Sequence, residues 1–124
     1  MKITVIFLTF IYSLSILANT EVINLVNSPS FKITVSQNIE AVLNNEEYTK
    51  PIMVTKIDQT NLIEVQNDPY GSPYLFLITV LAQGVQTKNT LPTGLSYDIS
   101  CELTYYYNNP KWEFGSGDCK LIQF

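Results

Sequence analysis

From Leu95 to Tyr107 the chain alternates. Leu95, Tyr97, Ile99, Cys101, Leu103, Tyr105 and Tyr107 are apolar or aromatic, while Ser96, Asp98, Ser100, Glu102 and Thr104 between them are polar. Only Tyr106 departs from the polar set. A period of two specifies a strand with one buried face and one wetted face. On a helix the same residues would be scattered round the circumference, leaving no face to bury.

A second alternating segment, Trp112-Glu113-Phe114, follows across Asn108-Asn109-Pro110-Lys111. That tetrapeptide is turn material, since Pro presets φ and Asn tolerates the left-handed region. Folding back there sets Tyr107 opposite Trp112 and Tyr105 opposite Phe114. The same register brings Cys101 to Asp118, one residue short of Cys119. An extra residue within Gly115-Ser116-Gly117 corrects it, and a β-bulge supplies such a residue, usually glycine. The expectation is a C-terminal hairpin, bulged at 115–117 and cross-linked by Cys101 and Cys119.

Upstream, Val22 to Val26 reads as a short strand closed by Asn27-Ser28-Pro29-Ser30. Phe31, Ile33 and Val35 alternate with Lys32, Thr34 and Ser36, which predicts another strand. Residues 37–47 fit a helix or a strand, and the helix formers Glu40, Ala41, Leu43, Glu46 and Glu47 favour the helix. Ile52–Ile57 and Leu62–Val65 flank Asp58-Gln59-Thr60-Asn61, predicting a hairpin. Asn67 to Pro73 is a loop. Tyr74 to Ala82 is apolar on both parities, which predicts a central strand covered on both faces. Gly84 to Gly94 reads as a loop of about eleven residues. The fold expected is mainly β, a small antiparallel β-sandwich or barrel of seven to eight strands. The alternative is α+β, an antiparallel sheet with one short helix near residues 37–47.

The N-terminus changes the setting. Lys2 precedes an uncharged run, Ile3 to Leu17, and Ala18 offers a small residue for cleavage. The run is about fifteen residues, short of the roughly 20 that a spanning helix needs. Residues 1–18 are therefore expected to be a cleaved secretory signal, with cleavage after Ala18 or Thr20. Residues 19–124 then form a single exported domain, secreted or periplasmic, with no membrane anchor. A lone pair of cysteines suits an oxidising compartment.

Charge and composition exclude several functions. The chain carries a formal net charge of −4, and losing Lys2 makes it more negative. It has no His. An acidic surface disfavours nucleic acid as a partner. Without His, and with both Cys in a disulfide, there is no imidazole or thiol nucleophile and no metal site. No phosphate-binding glycine loop occurs, and no cofactor is expected. Asp98 and Glu102 share a strand face about 13 Å apart, wider than the roughly 5–9.5 Å of glycosidase carboxylate pairs. No catalytic residue is assigned, and the protein is not read as an enzyme.

The positive signal is aromatic. Tyr106 stands alone on the polar face, and Tyr107 and Trp112 crowd the hairpin tip, where a core must end. Exposed Tyr and Trp are common anchors of binding surfaces. The function expected is a non-catalytic binding or inhibitor-like domain. It would recognise an extracellular or periplasmic protein or glycan through Tyr106, Tyr107 and Trp112. The competing expectation is a structural or assembly component of the cell envelope.

Overall fold

The computed structural model describes residues 20–45 and 51–123. The expected signal segment, 1–18, lies outside the described residues, as do Glu46 and Glu47. Helix α1 covers residues 20–26. Helix α2 spans Pro29–Asn44. Four strands follow: β1 (Ile52–Asn67), β2 (Pro73–Lys88), β3 (Leu91–Asn108) and β4 (Lys111–Gln123). They form one antiparallel sheet in the order β1-β2-β3-β4.

This corrects the sandwich or barrel of seven to eight strands. The architecture is α+β: a single open four-stranded sheet with two helices on one face. Two of the expected short strands are helices, and the expected pair 52–57 and 62–65 is one long strand. The alternative, with one short helix near residues 37–47, is corrected too. Among the described residues there are two helices, and the one that takes in 37–44 begins at Pro29.

The helices follow from a stripe that alternation conceals. Val22, Val26, Phe31, Val35, Ile39 and Leu43 are buried, spaced by about one helical turn. Ile33, which made 31–36 resemble a strand, is 62% exposed. Ser28 caps α2, its Oγ accepting from Phe31 N at 3.3 Å, and Pro29 takes the first turn, where its missing N–H is harmless. What reads as a turn signal, Ser28-Pro29, is a helix start. Burying each of these aliphatic or aromatic side chains stabilises the fold by about 1.5–3 kcal/mol.

The stripe packs on Phe76, Ile78, Val80 and Ala82 of β2 and on Ile99, Cys101, Leu103 and Tyr105 of β3. The other face of β2 carries Leu75 and Leu77, half-buried, and Leu81, exposed. So β2 is central, but among the described residues it is covered on one face only, not both.

Strand β1 explains the missed hairpin. Its core-facing residues are Ile52, Val54, Ile57, Thr60, Leu62 and Val65, opposite core-facing residues of β2. Register shifts after Val54, Ile57 and Leu62 each insert an extra residue. Bulges break the period of two, so Asp58-Gln59-Thr60-Asn61 is mid-strand and not a turn. They also bend the sheet round α2, which approaches both edge strands, β1 and β4. Two side chains of α2 bond the β1 backbone: Ile52 N donates to Asn44 Oδ1 at 3.1 Å, and Val54 N to Glu40 Oε1 at 3.0 Å.

The long loop expected at Gly84 to Gly94 is also strand. β2 continues to Lys88 and turns through Asn89 and Thr90, with φ of 53° and 67°. Positive φ at both positions is what a tight two-residue hairpin uses. Gly84 is not punctuation: a Cβ there would lie 2.9 Å from Met53 O and 2.9 Å from Ile99 Cδ1. The C-terminal hairpin has the expected register. Tyr107 faces Trp112, Tyr105 faces Phe114, and the shift between Thr104 and Tyr105 leaves Gly115 as the extra residue. Cys101 then meets Cys119, and the two form the disulfide.

Candidate functional site

The β3–β4 tip, the β1–β2 turn and helix α1 meet at one end of the sheet. Between them lies a cleft of about 510 Å³, lined by Glu21, Asp68, Ser72, Pro73, Tyr74, Tyr107, Pro110 and Trp112. Its floor is an extension of the core. The Trp112 ring lies 4.8 Å from Phe76 and 5.2 Å from Tyr107, centroid to centroid. Phe76 in turn stacks on Tyr105 at 5.2 Å, and Phe31 of α2 meets the Tyr105 ring edge-on at 5.1 Å. The Trp112 wall is thus packed directly on the rings of the core.

Each wall has its own local restraint. In the β1–β2 turn, Asp68 Oδ1 accepts from Tyr70 N and Ser72 N, both at 2.9 Å, and Gly71 takes φ 85°. This is an Asx turn, which Asp favours because its short carboxylate reaches the next amides. Tyr74 Oη donates to Gln66 Oε1 at 2.9 Å, and Tyr107 Oη to Asn109 Oδ1 at 3.1 Å. The Asn109–Pro110 peptide at the tip is cis.

Two of the three residues singled out in the sequence share this cleft. Trp112 is half-buried, and Tyr107 keeps 43% of its surface exposed. Tyr106 points to the other face of the sheet, where its phenol donates to Glu113 Oε2 at 2.8 Å. That hydrogen bond, and then the carboxylate's charge, raise the Tyr106 phenol above its ordinary pKa. Alternation separates Tyr106 from Tyr107 and Trp112, so no single ligand pocket holds all three.

Glu21, Asp68 and Tyr74 join the cleft although sequence reasoning assigned them no role. Tyr74 opens the apolar run 74–82 directly after the 67–73 loop, and its aromatic side chain beside a turn is the signal that could have found it. Nothing in the sequence links Glu21 to the tip, because only the helix packing brings it there.

The carboxylates Asp98 and Glu102 lie elsewhere, on the open face of β3, and the register sets Glu102 directly opposite Asp118 of β4. A depression there is lined by Ser100, Cys101, Glu102, Asp118 and Lys120. Like charges opposite one another weaken a strand pair. Among the described residues no three His, Cys, Asp or Glu side chains gather as metal ligands. Among them, too, no helix is long and apolar enough to cross a membrane. The disulfide points to an oxidising compartment. No protein-family model, curated protein or solved structure matches the chain.

Proposed function

We propose that the chain is an exported, non-catalytic binding domain that recognises an extracellular or periplasmic protein or glycan through its aromatic hairpin tip. The observation that supports this is the cleft built on Tyr107 and Trp112, with Tyr107 half open and Trp112 braced from behind by Phe76. A preorganised aromatic surface loses little conformational freedom on binding, which favours affinity. Tyr106, on the opposite face and bonded to Glu113, takes no part in this cleft.

The test is capture from culture fluid or periplasm with the purified, disulfide-bonded chain. A partner held by the parent and lost with a folded Tyr107→Ala variant is the expected result. Equal capture by both overturns the reading, as does turnover on hydrolase substrates that Asp98→Asn or Glu102→Gln abolishes.

A second reading, an envelope assembly component, is favoured by β4. It is an edge strand of 13 residues with no strand on its outer side among the described residues. Such an edge can pair with another chain. Size-exclusion chromatography separates the two readings, since this one requires concentration-dependent self-association.

A further inference from the structure

We propose that the tip cleft receives a cationic side chain, and that the partner is therefore a protein presenting an exposed Lys- or Arg-bearing segment. The inference rests on the reading of the tip as a binding surface and adds the chemistry of what it binds.

The cleft combines two features. Tyr74, Tyr107 and Trp112 supply aromatic rings, and Glu21 and Asp68 supply carboxylates from two other elements. Among the described residues no lysine lines it. Aromatic faces attract cations through their quadrupole, and carboxylates add charge-assisted hydrogen bonds. A neutral sugar can donate hydroxyl hydrogen bonds to Glu21 and to Asp68 Oδ2, the oxygen the turn amides leave free, but it brings no opposite charge, and an anionic glycan would be repelled. Arg satisfies both features at once, stacking on a ring while its fork meets a carboxylate, and Lys does so as a point charge.

The surroundings leave this charge in place. Lys111 follows Pro110 in the chain but does not line the cleft. Glu113, on the back of the hairpin, accepts from Tyr106 and Asn108 and adds negative charge nearby. Processing after residue 18 or 20 would create an α-amino group near Glu21, and Asp68 would still keep the cleft acidic. The cleft at the opposite end of the sheet is a contrast: Lys88 lines it, and no aromatic or acidic side chain does. A docked segment has a flanking contact available in Tyr70, 93% exposed on the β1–β2 turn.

Trp112 is the chain's only tryptophan, so its emission reports on this cleft directly. The experiment titrates the disulfide-bonded chain, at low ionic strength, with tetra-arginine amide, tetraglutamine amide, tetramethylammonium and chitotetraose. The charge test is the double variant Glu21→Gln with Asp68→Asn, in which the new side-chain amide keeps an Oδ1 acceptor for the turn. Circular dichroism and a thermal melt verify its fold, and Glu21→Gln alone serves if the pair fails to fold. The expected result is a saturable Trp112 response to tetra-arginine, at least tenfold weaker in the double variant and weakened by salt. Tetraglutamine should give none, and tetramethylammonium a much weaker one. Binding that is equal in parent and variant overturns the proposal. So does a tetramethylammonium response as strong as the peptide's, which would assign the cleft to a small cation. A response to chitotetraose alone also overturns it, yet leaves the tip as a binding surface. No response to any probe, together with partner capture that survives Tyr107→Ala, removes both readings.

Discussion

The phenol of Tyr105 donates a 2.7 Å hydrogen bond to Oδ1 of Asn38, across 67 positions of sequence. It joins the middle of α2 to the strand that dominates the sequence pattern. The Tyr105 ring is buried in the aromatic cluster, and its polar end needs a partner there. Asn38 lies beside Ile39 of the apolar stripe and can supply that partner only if 29–44 is helical.

Tyr105→Phe should therefore cost about 1–2 kcal/mol, because Asn38 is left without its donor. It should also change the pH dependence. Burial raises the Tyr105 phenol well above its ordinary 10.0. The unfolded chain loses this proton near pH 10 and the folded chain holds it, so the contribution is complete below pH 10. It declines as pH rises beyond that, by about 1.4 kcal/mol per pH unit. Urea melts between pH 8 and 11 should show stability falling above pH 10. The fall should be shallower in Tyr105→Phe, with the remainder including Tyr106, which Glu113 also raises.

Ile33 and Ile39 separate helix from strand in solution. Ile39→Ala should cost about 2–5 kcal/mol, the range for emptying a buried aliphatic site. Ile33→Ala, on the exposed side of α2, should stay within about 0.5 kcal/mol of the parent. Two comparable losses would contradict the helical stripe. Chemical denaturation of the pair decides it.

The disulfide closes a short loop, Cys101 and Cys119 being 18 residues apart. Replacing both by Ser should lower stability by about 3 kcal/mol through the entropy returned to the unfolded chain. Because β3–β4 pairing continues on either side of the bridge, circular dichroism of the native state should keep its sheet signature. Tm should fall in parallel when the parent is reduced with dithiothreitol.

Gly84 stands where β2 pairs closely with β1. Gly84→Ala drives a methyl against Met53 O, a backbone atom that cannot rotate away, and should cost about 1–3 kcal/mol. Gly94→Ala meets no atom within 4 Å but sits at φ 91°, so its loss arises from backbone strain alone. Thermal melts of the two should show Gly84→Ala rescued in part by Ile99→Val, which frees space beside it, and Gly94→Ala not rescued.

The tip residues should divide by their surroundings. Trp112→Ala removes a ring packed on Phe76 and should cost about 2–4 kcal/mol of stability along with binding. Tyr107→Ala, half exposed, should cost less than about 1.5 kcal/mol of stability. It should weaken partner capture by about 2 kcal/mol if Tyr107 is the main anchor. Tyr106→Ala should leave the tip cleft's binding unchanged, since it occupies the opposite face. Paired melts and binding titrations read all three.

What the residues alone determined is the C-terminal hairpin. Strict alternation, an Asn-Pro tip, glycines for one bulge and two cysteines act over short sequence distances and agree with one another. They specify the register, the disulfide, and the meeting of Tyr107 with Trp112. The N-terminal half was decided by tertiary structure. Phe31, Ile33 and Val35 alternate well enough for a strand, and only burial beneath a sheet rewards the turn-spaced set Phe31, Val35, Ile39 and Leu43 instead. Strand β1 lost its period to three bulges, whose positions depend on how the sheet bends round α2. The cleft lies on the same divide. Its Tyr107–Trp112 wall is local to the hairpin, whereas Tyr74, Glu21 and Asp68 reach it because β2, α1 and the β1–β2 turn pack at that end of the sheet. Long-range packing sets those positions, and it leaves no period in the chain.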